Sequence, residues 1–330
     1  MQLDQTHVAV RTRTLTEIGD LAIVVINRYP LVILLTFLLG AVPWAICNAA
    51  LLSWIPIQEA QFGLDDSEAV WQLIRYVLAM ALLVFLQTPA AGVITTIYLG
   101  QAVFEEKPSW RSACRVAWEQ FWRWFYCLVV RRFVLVPIIL FGVRWMQPYD
   151  TNLDITTLII IGIVAMILRS NRPFLPEMIL LERCPLRTKQ ANEISLARRS
   201  KALHRVAGGD ISGRWVGVSV TLFVIFCGVF YFFIWGTGVT TGYWSPGLFA
   251  LLVWFPLALW LVAGVSVVVR MMSYLDARIR LEGWDVELAV RAEVIRQFGD
   301  DEQVIALEET AMQGNPSVSP SSGLLSGANS

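Results

Sequence analysis

Apolar residues run through this chain in six blocks, at roughly 31–54, 72–99, 126–147, 155–181, 215–237 and 246–272, each long enough for the ~20 helical residues a hydrocarbon core requires. The pattern predicts an all-α polytopic membrane protein with six transmembrane helices, in which 31–275 form the membrane domain. Two blocks are interrupted. Arg131 and Arg132 lie near the start of the third, and Arg169, Arg172, Pro173 and Pro176 break the fourth, so either is expected to be tilted or partly re-entrant.

Amphipathic segments lie beside the blocks. In SWRSACRVAWEQFWRWF at 109–125, Trp110, Cys114, Ala117, Phe121 and Trp124 form an apolar stripe at helical spacing, opposite Arg111, Arg115, Glu119 and Arg123, as in a helix lying in the membrane interface. LTEIGDLAIVVINRYP before the first block and ISLARRSKALHRVAGG before the fifth repeat that arrangement. They suggest a threefold repeat of interfacial helix plus helical hairpin.

Charge orients these elements. With the N-terminus inside, the inner segments collect Arg11, Arg13, Arg28, the Lys107–Arg132 group, the Arg169–Arg214 group and the Arg270–Arg296 group, and only Arg75 and Arg144 fall outside. The outer loops carry Glu59, Asp65, Asp66, Glu68, Asp150 and Asp154 instead. This is the positive-inside distribution of a cytoplasmic membrane protein with both termini in the cytoplasm. Trp54, Trp71, Trp145, Trp235 and Trp244 fall at the outer boundaries, where an indole is favoured.

Composition agrees with the pattern: of 330 residues, 56% are hydrophobic and 16% charged, more apolar surface than one soluble core could use. The 26 basic and 26 acidic residues cancel, which argues against a nucleic-acid partner. The first twenty residues lack an apolar core before a small-residue site, so no cleavable signal peptide is expected. The five cysteines are scattered without a CxxC pair, and the two histidines, His7 and His204, lie outside the apolar blocks, so neither metal nor other cofactor is expected. The sequence lacks HExxH, GxxxxGK[ST], GxSxG and GxGxxG, and a non-catalytic protein is expected.

Three groups inside or beside the blocks are candidates for more than packing. Glu177, in the apolar stretch FLPEMILLER, suits a relay if isolated, or an interfacial ion pair if Arg172 or Arg183 reaches it. Gln87, Thr88 and Pro89 mark a candidate cavity or a packing kink, because Pro89 frees a backbone carbonyl. Arg131 and Arg132 are candidates for lipid headgroup contact, or for snorkelling to the interface. After the last block, Asp276 and Arg280, then Arg278 and Glu282, are i,i+4 pairs on a helix entering the cytoplasm at about 276–313, which Gly283 ends or bends. From about Gly314 the Gly/Ser/Pro composition predicts disorder.

Two stretches carry a resemblance. Leu175-Pro176-Glu177-Met178-Ile179-Leu180-Leu181-Glu182, followed by Ala197-Arg198-Arg199-Ser200-Lys201-Ala202-Leu203, resembles the "LP-x-x-x-L-x-E … A-x-x-RS-x-x-L" pattern of bacterial multi-spanning proteins similar to the membrane domain of glycerophosphoryl diester phosphodiesterases. Tyr274 to Asp285 resembles their closing "Y-x-D-x-R-x-R-x-EG-x-D" helix. The resemblance implies the membrane topology and not the phosphodiesterase chemistry, which a separate soluble domain carries in those enzymes. Resemblance and spacing together predict a bidentate pair between Glu182 and Arg199, and contact between that region and at least one of Asp276, Arg278, Arg280 and Glu282. The expected role is a scaffold or partner subunit that touches membrane lipids and another membrane or cytoplasmic protein. The alternative is a small transporter or channel with a polar cavity near Gln87, Thr88 and Glu177.

Overall fold

A computed structural model of the chain describes residues 13–55, 66–103, 108–131, 134–145, 151–184, 195–242, 244 and 247–282. These belong to one unit, Met1–Glu282; a second unit, Gly283–Ser330, lies outside the described residues, and with it the expected later cytoplasmic helix and disordered tail. Among the described residues every regular element is helical.

Helix α1 (Leu15–Arg28) begins at a capping box: the Thr14 hydroxyl accepts from the Glu17 amide, and the Glu17 carboxylate accepts from the Thr14 amide at 2.8 Å. Pro30, preorganised for a first helical position, starts α2 (Pro30–Leu52). Helices α3 (Asp66–Ala91) and α4 (Val93–Ala102) divide the second apolar block at Gly92. The expected interfacial segment at 109–125 forms α5 (Trp110–Glu119) and the short α6 (Phe121–Trp124), separated at Gln120 and followed by a π-helical turn, Phe125–Val130.

The remaining elements are α7 (Leu135–Trp145), α8 (Thr151–Asn171), α9 (Leu175–Leu180), α10 (Leu196–Thr241), a second π-helical turn at Ala250–Trp254, and α11 (Phe255–Glu282). The fourth apolar block is therefore two helices, α8 and α9, parted at 172–174, where Pro173 removes a donor. The segment expected as a separate interfacial helix before the fifth block is instead continuous with it. At 1.5 Å per residue the 46-residue α10 is about 69 Å long, beyond the ~40–45 Å of a whole bilayer.

Four helices among the described residues are long and apolar enough to cross a membrane: Pro30–Leu52, Ala69–Ala91, Val216–Thr241 and Ala250–Leu281. The outward faces of α8 and α10 are apolar, with Ile160, Ile163, Ile167, Val220, Phe223 and Phe232 exposed. So broad an apolar surface has no place in water and suits lipid.

Helices α3 and α11 are central: α11 packs on α10, α3 and α1, and α3 on α2 and α8. Close approach of α2 and α3 depends on Gly40, where a Cβ would overlap the Ala91 carbonyl oxygen. Two polar contacts tie α2 in the interior, the first to α3 and the second to α4. Asn48 and Gln87 exchange amide hydrogen bonds at 2.7 Å each, and the Thr36 and Thr95 hydroxyls lie 3.3 Å apart.

Candidate functional site

Where α11 ends, a carboxylate gathers partners from two helices, α10 and α11. Glu182 follows α9; its Oε2 accepts from Arg199 Nε at 2.8 Å and its Oε1 from Arg199 Nη2 at 2.9 Å, the fork geometry that a planar guanidinium favours. Oε1 also accepts from the Tyr274 hydroxyl at 2.6 Å and lies 3.9 Å from Arg278 Nε. Burial pushes the Glu182 carboxyl up, but the hydrogen bonds from Arg199 and Tyr274 and the charges of Arg199 and Arg278 outweigh it and hold the group below its ordinary value. Beside it, burial and the Glu182 charge push the Cys184 thiol up, so this cysteine is a poor nucleophile.

The loop carrying Glu182 is held from the other side by Arg123, whose Nη2 donates to the carbonyls of Arg183, at 2.6 Å, and Cys184. Arg183 has φ 51, a left-handed conformation that costs an L-residue roughly 1–2 kcal/mol.

Asp276, 1% exposed, does not solvate an emerging helix as an i,i+4 surface pair would. It accepts from Arg280 Nε at 3.0 Å and from the Arg13 amide at 2.8 Å, while Arg280 Nη2 donates to the Arg13 carbonyl at 2.8 Å. One side-chain pair thus grips both polar groups of a single peptide residue and fixes the start of α1 to the end of α11. Arg278, the partner of Glu282 expected from spacing, lies near Glu182; the Glu282 side chain lies outside the described residues.

Glu177, fully buried on α9, pairs with neither Arg172 nor Arg183 as expected. Its Oε1 accepts from Arg270 Nε at 2.6 Å, across 93 residues of sequence. The pair is end-on, and both Glu177 Oε2 and Arg270 Nη2 are buried without a hydrogen-bond partner. Leaving such groups unmade costs roughly 1–3 kcal/mol or more each.

At the candidate cavity, Gln87 is closed against Asn48, and Thr88 donates to the Val84 carbonyl at 2.6 Å. Pro89, buried in α3, cannot donate to the carbonyl four residues earlier, that of Phe85. Arg169 supplies the missing bond: its Nη1 donates to Phe85 O at 2.8 Å, and its guanidinium carbon sits 4.3 Å from the centre of the Phe85 ring. At the opposite end, where α2 ends and α3 and α8 begin, Arg75 and Asp154 form a buried ion pair, with Arg75 4.5 Å over the Trp54 ring. The charge pattern assigns Asp154 to a loop and leaves Arg75 as an exception; the structure makes them each other's counterion. Arg131 is exposed at the end of the first π-helical turn, and Arg132 lies outside the described residues.

Between α3, α8, α10 and α11 lies a chamber of about 690 Å³, walled mainly by apolar side chains. Thr88 lines it; of the other expected cavity residues, Gln87, Pro89 and Glu177 do not. Sequence reasoning misses Arg13, Arg123, Arg169 and Arg270 as site residues. A usable signal exists for Arg169, since a proline inside a helix advertises an orphan carbonyl. Comparisons with protein-family models, curated proteins and solved structures found no match to this chain.

Proposed function

We propose that this chain is a non-catalytic integral membrane protein, a scaffold or partner subunit of the cytoplasmic membrane that crosses it six times with both termini in the cytoplasm. The observation that carries the reading is the clasp around the end of α11. Glu182, Arg199, Tyr274 and Arg278 form one lock there, and Asp276, Arg280 and Arg13 another. Carboxylates committed to arginine and tyrosine in this way serve to hold segments together, whereas an acid or base in a reaction needs a free face toward a substrate. The lock joins the two stretches that resemble the membrane domain of glycerophosphoryl diester phosphodiesterases, and this supports kinship with that domain.

An ion or solute path through Gln87, Thr88 and Glu177 is the weaker reading, because the amide pair and the Arg270 contact occupy two of the three groups. The partner-facing surface is the basic side, where Arg198 and Lys201 are exposed on the first turns of α10. Photo-crosslinkers placed at these two positions in cells should yield a discrete protein adduct. Adducts with lipid alone at both would overturn the scaffold reading. Topology is tested separately: a single cysteine at position 65 should be labelled from outside, and one at 201 only after permeabilisation.

A further inference from the structure

We propose that the chamber between α3, α8, α10 and α11 is a binding site for one membrane lipid with an anionic phosphate headgroup, and that Arg270 is its headgroup ligand. The face that α11 turns to the chamber includes Phe255, Leu259, Ser266, Arg270, Ser273 and Arg280, at the three-, four- and seven-residue steps of one helical stripe. Its character changes along the way. The first turns are apolar, and from Ser266 onward the stripe is polar and then cationic. Phe255 to Arg270 spans about 22 Å at 1.5 Å per residue, about three quarters of the ~30 Å hydrocarbon thickness. A headgroup held at Arg270 would therefore lay an acyl chain along an apolar wall at least one leaflet, about 15 Å, deep.

The volume, about 690 Å³, is within the ~300–1,000 Å³ of sites for small amphiphiles. Access is lateral: α10 packs along α11 but meets α8 only sparsely, and Phe223 on α10 and Ile163 on α8 are both chamber-lining and exposed. A lipid entering between those helices needs no aqueous route.

Charge favours an anion at the polar end. The lining there carries three guanidinium groups, Arg169, Arg270 and Arg280, and one carboxylate, Asp276. Arg270 is the specific ligand because its side chain lines the chamber and is 9% exposed, while Glu177 engages only its Nε. Glu177 anchors the guanidinium and leaves the part that lines the chamber to a phosphate oxygen. The proposal is independent of the scaffold role, since a scaffold can be built with or without a resident lipid.

The test uses the full chain purified in mild detergent, with phosphatidylglycerol, phosphatidylcholine of the same acyl chains and inorganic phosphate as probes, read by native mass spectrometry. The wild type should retain phosphatidylglycerol over phosphatidylcholine by about tenfold, the contribution of one charged hydrogen bond. Gly162 lines the chamber, and a Cβ there meets nothing within 4 Å, so Gly162→Leu should fill the space in a folded protein and expel both lipids. The double variant Glu177→Gln/Arg270→Gln keeps the interior neutral and should erase the preference while phosphatidylcholine still binds. Equal retention of the two lipids by the wild type, or unchanged retention by Gly162→Leu, would overturn the proposal. So would competition by inorganic phosphate as effective as that by phosphatidylglycerol, or a wild-type dimer that Gly162→Leu turns into a monomer without lipid.

Discussion

Pro89 and Arg169 lie 80 positions apart on different helices, yet the structure makes the need for one a consequence of the other. Without an amide hydrogen at position 89, the Phe85 carbonyl in α3 loses its helical donor, and Arg169 Nη1 takes the place at 2.8 Å. Replacing Arg169 by Met keeps much of the aliphatic stem and removes the donor. The loss combines an unmet carbonyl, about 1–3 kcal/mol, with the contact over the Phe85 ring, about 0.5–2 kcal/mol. In a Pro89→Ala background the restored amide satisfies the carbonyl from within the helix, so only the ring contact is lost. The expected cost of Arg169→Met is thus about 3 kcal/mol in the native background and about 1 kcal/mol in the Pro89→Ala background, a coupling of about 2 kcal/mol. The effect of Pro89→Ala alone cancels in the cycle. Equilibrium unfolding of the four proteins in mixed detergent micelles measures it. A coupling below about 0.5 kcal/mol, the ordinary error of additivity, would refute the argument.

Glu182→Ala should destabilise the protein by about 3 kcal/mol, because it strands Arg199 and the Tyr274 hydroxyl at a poorly hydrated place; Glu119→Ala, at an exposed position, should move the same unfolding transition by less than about 0.5 kcal/mol. The Glu182 carboxyl titrates below its ordinary 4.5 when folded, so the unfolded state binds its proton at higher pH; the contribution of this lock is full above 4.5 and is lost as pH falls through the lower folded value. Acid unfolding followed by tryptophan fluorescence should therefore begin at a higher pH in Tyr274→Phe, which removes a hydrogen bond to the ionised form, and an unchanged onset would contradict this. Gly40→Ala should cost at least about 2 kcal/mol in the unfolding assay, because the Ala91 backbone has to give way; a neutral outcome would mean that α2 and α3 part without loss.

The helical class was legible because a span needs only a run of apolar residues, and α2, α3, α10 and α11 each carry one. The Glu182–Arg199 pair was legible because the partners are 17 residues apart at the ends of successive helices, where spacing limits what an arginine can reach. Glu177 had the opposite fate. Its neighbours in sequence supplied two arginines, but α9 turns its Glu177 face toward α11, and Arg270 arrives from 93 residues away. No local pattern encodes which helix will pack there. The same limit hid the Arg13 contact, in which Asp276 and Arg280 grip main-chain atoms whose chemistry every residue shares. The continuity of α10 was obscured for a different reason: a change from amphipathic to uniformly apolar pattern marks a change of surroundings, and a helix can pass through it unbroken.

Arg75, an exception to the charge pattern, shares its physical situation with Arg169 and Arg270, which lie within or near the apolar blocks. A cation within or near the apolar zone is tolerated when the fold supplies its counterpart, and each such arginine here has one: Asp154 for Arg75, the Phe85 carbonyl for Arg169 and Glu177 for Arg270. Cations held in this way add little to the bias that retains a loop in the cytoplasm, so the orientation argument rests on the cations left at the surface. Among the described residues these are Arg28, Arg111, Arg115, Arg131, Arg172, Arg183, Arg198 and Lys201. All eight lie in segments the charge pattern assigns to the inside, whereas Arg75, the described exception, is buried. Burial thus separates two populations that a count along the sequence merges, and the surface population carries the stronger asymmetry.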